Sequence, residues 1–296
     1  MVAKIINGND VSKIVYSEVK TGVIDYVKKY NNPPGLAVVL IGNDPASISY
    51  VSKKETACRE VGIYTKTFNL SERINQSGVV KLINKLNFDN TFNGILIQLP
   101  LPQNFNQREI VNSISPLKDV DGLTSENSGL LFLGIPRYIP ATPYGIIRLL
   151  KEQNIKTRGK KIVIVGRSQL VGLPLASILM QKGIFGDATV TVCHSETKNL
   201  AKETKTADIL IAAVGKPKII SKEMISHNTC VIDVGVNRIV NLNKRKGFSL
   251  VGDVDYENVK YIASYITPVP GGVGPMTVAM LLKNVIKSTK ISRSID

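Results

Sequence analysis

Tyr50 and Lys54 lie four residues apart in a stretch with helical spacing, so their side chains emerge as neighbours on one face. Such a pair can do acid–base work. A lysine serves as a base near neutrality when desolvation or neighbouring cations lower its pKa, and a tyrosine hydroxyl can position substrate or relay a proton. Asp121, in Lys118-Asp-Val-Asp-Gly122, offers a carboxylate whose two oxygens match the ring N–H and exocyclic amine of an amino-pyrimidinone edge. Each feature also has a plain reading: a Tyr/Lys pair at this spacing is an ordinary surface contact, and an aspartate before glycine makes an Asx turn. Lys53 and Tyr64 lack the geometry and are expected at the surface or in the core.

A second set of residues could hold phosphate. Val163-Ile-Val-Gly166-Arg-Ser-Gln-Leu-Val-Gly172-Leu-Pro174 reads as strand, tight turn and helix N-terminus. It departs from the G-x-G-x-x-G fingerprint, keeping a glycine at either end, Gly166 and Gly172, with Arg167 between them. The N–H groups and dipole of such a terminus still attract a phosphate. The next strand ends in His194-Ser195, with no acid before Glu196. NAD sites of this kind carry an acid there for the ribose hydroxyl, whereas NADP sites carry groups that accept a phosphate. Arg167 and Ser195 together suit a 2′-phosphate, so NADP is the expected cofactor; the plain role of Ser195 is a helix cap.

The third stretch, Pro268-Val-Pro-Gly-Gly-Val-Gly-Pro-Met-Thr277, packs three Pro and three Gly into ten residues. Proline fixes φ and glycine permits close backbone approach, so it reads as a stiff loop built for contact. It lacks the Lys-Ser/Thr ending of a P-loop, which makes ATP binding there unexpected. A simple surface turn is the alternative.

These residues need a scaffold, and the hydrophobic pattern supplies one. Val11, Ile14, Val15, Val19, Val23, Ile24 and Val27 follow helical spacing, and Leu36–Ile41 is a continuous apolar run of the kind buried on both faces of a sheet. Asp44 and Pro45 open a helix that stops at Gly62. Strand 65–68, helix 76–86, strand 94–99 and helix 107–114 follow. Strands interleaved with helices imply parallel βαβ units, whose ligands sit at the carboxyl ends of the strands. By that rule Asn43, Asp44, Gln98 and Pro100-Leu-Pro102 share one cleft. The Pro-rich section 119–143 reads as a domain connection. A second series of strands, 161–165, 188–192, 208–214 and 230–234, builds another parallel sheet, and the helix from Thr277 could return to the first domain. The expected architecture is α/β with two parallel-sheet domains: residues 1–140 with a C-terminal helix from 275–296, and a Rossmann-type NADP-binding domain over 141–274.

The bulk properties narrow the class. The chain has 296 residues, 43% of them hydrophobic and 21% charged, ordinary for a globular protein with a sizeable core. Its apolar runs are strand-length, short of the roughly 20 residues of a membrane helix, and the Met-Val-Ala-Lys-Ile-Ile start has no secretory pattern. Cys58, Cys193 and Cys230 form no metal spacing and no disulfide framework, so no metal is expected and a reducing cytoplasm fits. A formal charge of +15 suggests an anionic partner. The lysines are scattered, and no nucleic-acid motif or aromatic-basic interleaving occurs, so nucleic acid is not the expected partner.

Taken together, Tyr50-Val-Ser-Lys-Lys54, Gly94-Ile-Leu-Ile-Gln-Leu-Pro-Leu-Pro102, Lys118-Asp-Val-Asp-Gly122, Gly166-Arg-Ser168 and Pro268–Thr277 closely resemble the bifunctional methylenetetrahydrofolate dehydrogenase/cyclohydrolase family, over almost the whole length. The resemblance implies oxidation of methylene-tetrahydrofolate with NADP, then hydrolysis of the methenyl product to formyl-tetrahydrofolate. It implies that Lys54 is the essential lysine, that Gln98 hydrogen-bonds near it and tunes it, that Tyr50 packs on the folate and that Asp121 binds the pterin. Leu99, Pro100, Pro270, Gly271 and Gly272 are the further substrate positions it implies. Those for the cofactor are Gly166, Arg167, Ser168, Val171, Gly172, Ser195, Gly215, Val236, Gly272 and Thr277. One departure is Ile184-Phe-Gly-Asp187, longer than the family's usual helix-to-strand turn and just upstream of Ser195. The resemblance also implies a homodimer paired through the cofactor domain, acting on folates that can carry polyglutamate tails. The alternatives are a dehydrogenase without cyclohydrolase activity and a basic Rossmann-type binding protein.

Overall fold

The computed structural model describes residues 2–241 and 247–292. In chain order its elements are β1 (Lys4–Ile5), α1 (Gly8–Tyr30), β2 (Gly35–Ile41), α2 (Pro45–Val61), β3 (Tyr64–Leu70), α3 (Gln76–Phe88), β4 (Gly94–Ile97), α4 (Gln107–Asn112), α5 (Ser125–Phe132) and α6 (Ala141–Glu152). There follow β5 (Lys161–Val165), α7 (Gly172–Met180), β6 (Thr189–Cys193), α8 (Leu200–Thr204), β7 (Ile209–Ala212), β8 (Cys230–Asp233), β9 (Asn237–Val240), β10 (Phe248–Val251), α9 (Tyr256–Val259), β11 (Tyr265–Ile266) and α10 (Val273–Ser292). The chain divides into two compact units. One comprises Lys13–Ala141 and Val278–Asp296, the other Met1–Ser12 and Thr142–Thr277.

The first unit is built on a three-stranded parallel sheet in the order β3-β2-β4. Every residue of β2 is buried, as its unbroken apolar run requires of a central strand. Asp44 caps α2 by accepting from the Ser47 N–H at 2.7 Å, Pro45 opens the helix, and Gly62 closes it at φ 84°. Pairing of Val39 with Ile97 aligns the ends of β2 and β4, and the Gln98 N–H donates to the Val39 carbonyl at 2.9 Å. Gln98 therefore leaves the sheet at the same end as the Gly42-Asn-Asp44 turn. A single parallel bridge from Ile95 to Asp119 lays the turn that carries Asp121 alongside β4. The later part of α10 belongs to this unit, in line with the expected return of the C-terminal helix: Asn284 donates to the Val120 and Ile139 carbonyls at 2.8 and 2.9 Å, and Lys283 pairs with Glu18 at 2.6 Å.

The second unit has a six-stranded, all-parallel sheet in the order β1-β11-β8-β7-β5-β6. Its core gathers alternate residues of the central strands, Val163, Val165, Leu210, Ala212 and Val231 among them. Two features depart from the sequence-based expectation. The first twelve residues group with this unit and not with residues 13–141, because β1 pairs with β11 and the Gly8 N–H donates to the Gly271 carbonyl at 2.8 Å. A two-residue strand with both side chains exposed carries no period to read. The antiparallel pair β9–β10 was also not expected; Arg238 lies over the Phe248 ring at 4.9 Å across it. Among the described residues no helix is long and apolar enough to cross a membrane.

Candidate active site

Lys54 sits on the buried face of α2, 7% exposed, and its ammonium donates to Gln98 Oε1 at 3.0 Å. The orientation of that amide is fixed from its other end, because Gln98 Nε2 donates to the Leu99 carbonyl at 2.7 Å. The acceptor is thereby held facing the lysine. Leu99 and Pro100 follow directly and are joined by a cis peptide bond. The Tyr50 ring, half-buried one turn before Lys54, lies 5.8 Å from the Lys54 nitrogen. Lys53 is exposed, yet its ammonium lies 5.9 Å from the centroid of the same Tyr50 ring, so the expectation that it lacks the geometry does not hold: residues three apart on a helix are also neighbours. Burial pushes the Lys54 pKa down, and the charge of Asp121 opposes that fall. A lysine so placed gives up its proton more readily than one in water, while remaining tied to an acceptor.

Asp121 completes the group. Burial raises its pKa to about 6, Lys54 pulls it down, and Asp119 pushes it up. Burial is the larger influence on both groups, and each also feels the other's charge. Asp119, 1% exposed, does not compete for the site: its Oδ2 accepts from the Thr124 N–H and from Asn127 Nδ2, both at 2.8 Å. Arg137 holds Asn127 from behind at 2.7 Å and pairs with Glu126 at 2.6 Å. This chain of contacts fixes the turn and leaves the Asp121 carboxylate without a hydrogen-bond donor among the described residues. Asn127 and Arg137 escaped the sequence reading because their roles run through Asp119, and no spacing signals that. Asn43 is exposed, and Asp44 spends its carboxylate on the cap of α2.

In the second unit the turn from β5 to α7 is closed down to backbone contact. Gly166 adopts φ 126°, and a Cβ there would lie 2.2 Å from the Ala213 carbonyl oxygen. A Cβ on Gly172 would lie 2.0 Å from the Gly166 carbonyl oxygen. Only glycine at both ends permits this fold-back, which brings the N-terminus of α7 under the exposed Arg167 and Ser168. Ser168 Oγ accepts from the Val171 N–H at 3.2 Å. These residues fit a phosphorylated dinucleotide: a backbone cradle that a side chain would fill, at a helix N-terminus, beside an unburied guanidinium.

The remaining positions expected to meet the cofactor lie in the same unit. Val165 pairs with Cys193, so Ser195 comes two residues beyond the end of β6 and the longer turn at 184–187 leaves that register intact. Ser195 does not cap a helix. Its hydroxyl donates to Glu196 at 3.2 Å, while Asn199 caps α8. Gly215 follows β7 at φ 71°, with no atom within 4 Å of where a Cβ would stand, and Val236 follows β8, exposed. Thr277 contacts Thr142, hydroxyl to hydroxyl, at 3.0 Å. Pro270, preceded by a cis bond, Gly271 and Gly272 belong to this unit too. Their glycines have an internal reason: Gly271 adopts φ 106°, where its carbonyl receives the Gly8 and Asn9 N–H groups at the start of α1, and a Cβ on Gly272 would meet the Pro268 oxygen at 2.6 Å.

Comparison with known proteins agrees with both halves. Residues 6–121 match the tetrahydrofolate dehydrogenase/cyclohydrolase catalytic domain, and residues 140–293 match the NAD(P)-binding domain of the same family. The chain is 47% identical over 291 residues to the bifunctional protein FolD of Acetivibrio thermocellus, covering 98% of each chain. Among solved structures it is similar to the bifunctional FolD dehydrogenase/cyclohydrolase of Campylobacter jejuni, with 43% identity, a TM-score of 0.90, and 97% and 99% of the two chains covered. It is also similar to the Trypanosoma brucei dehydrogenase-cyclohydrolase solved with NADP cofactor and inhibitor, with 34% identity, a TM-score of 0.93, and 100% and 99% covered. Two family domains in the right order, relatives matched end to end and the Lys54–Gln98–Asp121 group lead to one conclusion: this chain belongs to the tetrahydrofolate dehydrogenase/cyclohydrolase family.

Proposed function

We propose that the protein oxidises 5,10-methylenetetrahydrofolate to the 5,10-methenyl cation and hydrolyses that cation to 10-formyltetrahydrofolate. The observation that carries the reading is a buried Lys54, held by Gln98 at 3.0 Å and electrically coupled to Asp121. NADP supplies the hydride acceptor when bound, and Gly166, Arg167, Ser168, Gly172 and Ser195 would hold it, with Gly215, Val236, Gly272 and Thr277 completing its site. Asp121 grips the amino-pyrimidinone edge of the pterin through two parallel hydrogen bonds, and Tyr50 packs on the folate. Loss of hydride leaves a carbon that is an electrophile for water. Lys54 in its neutral form takes a proton from that water as it adds, and the ammonium so formed is stabilised by Gln98 and Asp121. The added hydroxyl then gives up its proton as its oxygen becomes the formyl C=O, one C–N bond of the ring breaks, and the leaving nitrogen takes the proton held by Lys54, so that one proton is released overall.

The lowered pKa of Lys54 supports this use of it as a base. The exposed guanidinium of Arg167 and the absence of an acid at positions 193–195 favour NADP over NAD. A homodimer is the proposed assembly: β6 is an edge strand, and the neighbouring Leu170, Leu173, Met180 and Ile184 are exposed. Three free, buried thiols favour a reducing compartment, the cytoplasm, and the excess of lysine and arginine suits polyglutamylated folates.

The test is a pair of assays on the purified protein. NADPH absorbance should rise only when methylene-tetrahydrofolate is present, and methenyl absorbance should decay faster with enzyme than without. A folded protein with neither signal sinks the proposal, and equal Michaelis constants for NADP and NAD would defeat the phosphate argument. Light scattering that gives a monomer at micromolar concentration would remove the dimer.

A further inference from the structure

Two carboxylates outside the proposed chemistry are buried at the carboxyl ends of β7 and β8. Asp253 is 0% exposed and Asp233 2%. Asp253 Oδ2 accepts from the Val214 and Gly215 N–H groups at 2.6 and 2.9 Å, and its Oδ1 accepts from Asn237 Nδ2 at 2.9 Å. Asp233 accepts from the N–H groups of Gly235, Asp253 and Val254 at 3.1, 2.9 and 3.0 Å. Two glycines make room for these contacts. A Cβ on Gly235 would stand 2.0 Å from Asp253 Oδ1, and one on Gly252 would stand 1.8 Å from Asp233 Oδ2.

The arrangement answers a local need. The ladder between β7 and β5 ends where the Ala213 N–H donates to Val165, so the next two amides have no strand partner. Val214 is half-buried and Gly215 exposed on its outer side, and one carboxylate oxygen meets both amides from the buried side. One carboxylate therefore ties the turn after β7 to the turn after β8. Those turns carry Gly215 and Val236, at the carboxyl end of a parallel sheet, where ligands bind. Because the Gly215 N–H is committed inward, what the turn offers a cofactor is its shape and its open side, and not that donor.

We infer that Asp253 is a positioning residue for the cofactor, clamping the Val214-Gly215 turn to the Gly235–Asn237 turn so that Gly215 and Val236 keep the spacing NADP requires. The clamp rests on the dehydrogenase reading above. Hydrolysis of the methenyl cation consumes no cofactor, so the two activities report on it separately.

The experiment compares wild type, Asp253→Asn and Asp253→Ala in three measurements: amide hydrogen exchange at Val214 and Gly215 without cofactor, the NADP dissociation constant, and both enzymatic rates. Asn keeps one oxygen for the two amides, and a flip of the Asn237 amide lets it accept from the new NH2. We expect Asp253→Asn to stay within about threefold of wild type in NADP affinity. Asp253→Ala should expose the two amides to exchange at least tenfold faster and weaken NADP at least tenfold, with cyclohydrolase within about twofold. NADP affinity within twofold of wild type in Asp253→Ala overturns the inference. So does a parallel loss of both activities in Asp253→Asn, which would mark a merely structural residue. A wild type that binds NADP but oxidises no methylene-tetrahydrofolate would refute the functional reading instead, and the exchange and affinity results would still decide the clamp.

Discussion

Replacing Gln98 by Glu puts a carboxylate where a neutral oxygen now faces the Lys54 nitrogen at 3.0 Å. Two unit charges at that separation attract by ~5 kcal/mol at an effective dielectric near 20, equivalent to ~4 pKa units on the lysine. Part of this is lost, because the new carboxylate must itself be desolvated beside a buried ammonium, so we expect a net rise of ~2 units. Below its pKa a lysine loses tenfold in neutral amine per unit, and ~100-fold less base should be present on the acid side of the titration. The assay is decay of methenyl absorbance as a function of pH. In Gln98→Glu the acid limb should move up by ~2 units, with the rate along that limb down ~100-fold and recovery as pH rises. NADP affinity and melting temperature serve as controls for the fold, since the substitution also removes the donor to the Leu99 carbonyl. A limb that stays in place, with the fold intact, would refute the idea that Lys54 acts as a base tuned by its Gln98 contact.

Lys54→Met should lower cyclohydrolase turnover by ~100-fold or more while NADP still binds, measured by cofactor titration; an unchanged hydrolysis rate removes Lys54 from the chemistry. Asp121, with its pKa raised to about 6, must be ionised to accept from the pterin, so the folate KM should be flat above that pH and climb as pH falls through it. Asp121→Asn should abolish that climb, and a climb that persists assigns it to another group. Gly172→Val drives a side chain into the Gly166 carbonyl and should weaken NADP strongly and cost ~1–3 kcal/mol in chemical denaturation, with wild-type behaviour in both contradicting the close approach described.

Much of the scaffold could be read from the chain because its signals are local. The β2 run is apolar throughout since both faces are covered, and Asp44, Pro45 and Gly62 mark the ends of α2 by capping chemistry that acts within a few residues. Lys54 and Tyr50 could be paired on one helix face for the same reason. Other features depend on partners distant in sequence. The first dozen residues join the second unit through two residues of β1, and Asn127 and Arg137 matter only because Asp119 lies against them.

The Pro268–Thr277 stretch shows where the boundary falls. Its composition determines that the backbone there is stiff and makes close contacts, because proline and glycine restrict or free φ by themselves. Which contacts it makes is decided by the fold, where Gly271 receives the start of α1. The same holds for the active site. Sequence alone determined the parallel α/β scaffold, the glycine turn at 166–172 and the residue types available for acid–base work, since these follow from periodicity and local stereochemistry. Only the tertiary structure decided that Lys54 is buried, that the Gln98 oxygen faces it and that Asp253 closes two turns, because desolvation and hydrogen-bond direction belong to neighbours that the chain brings together from far apart.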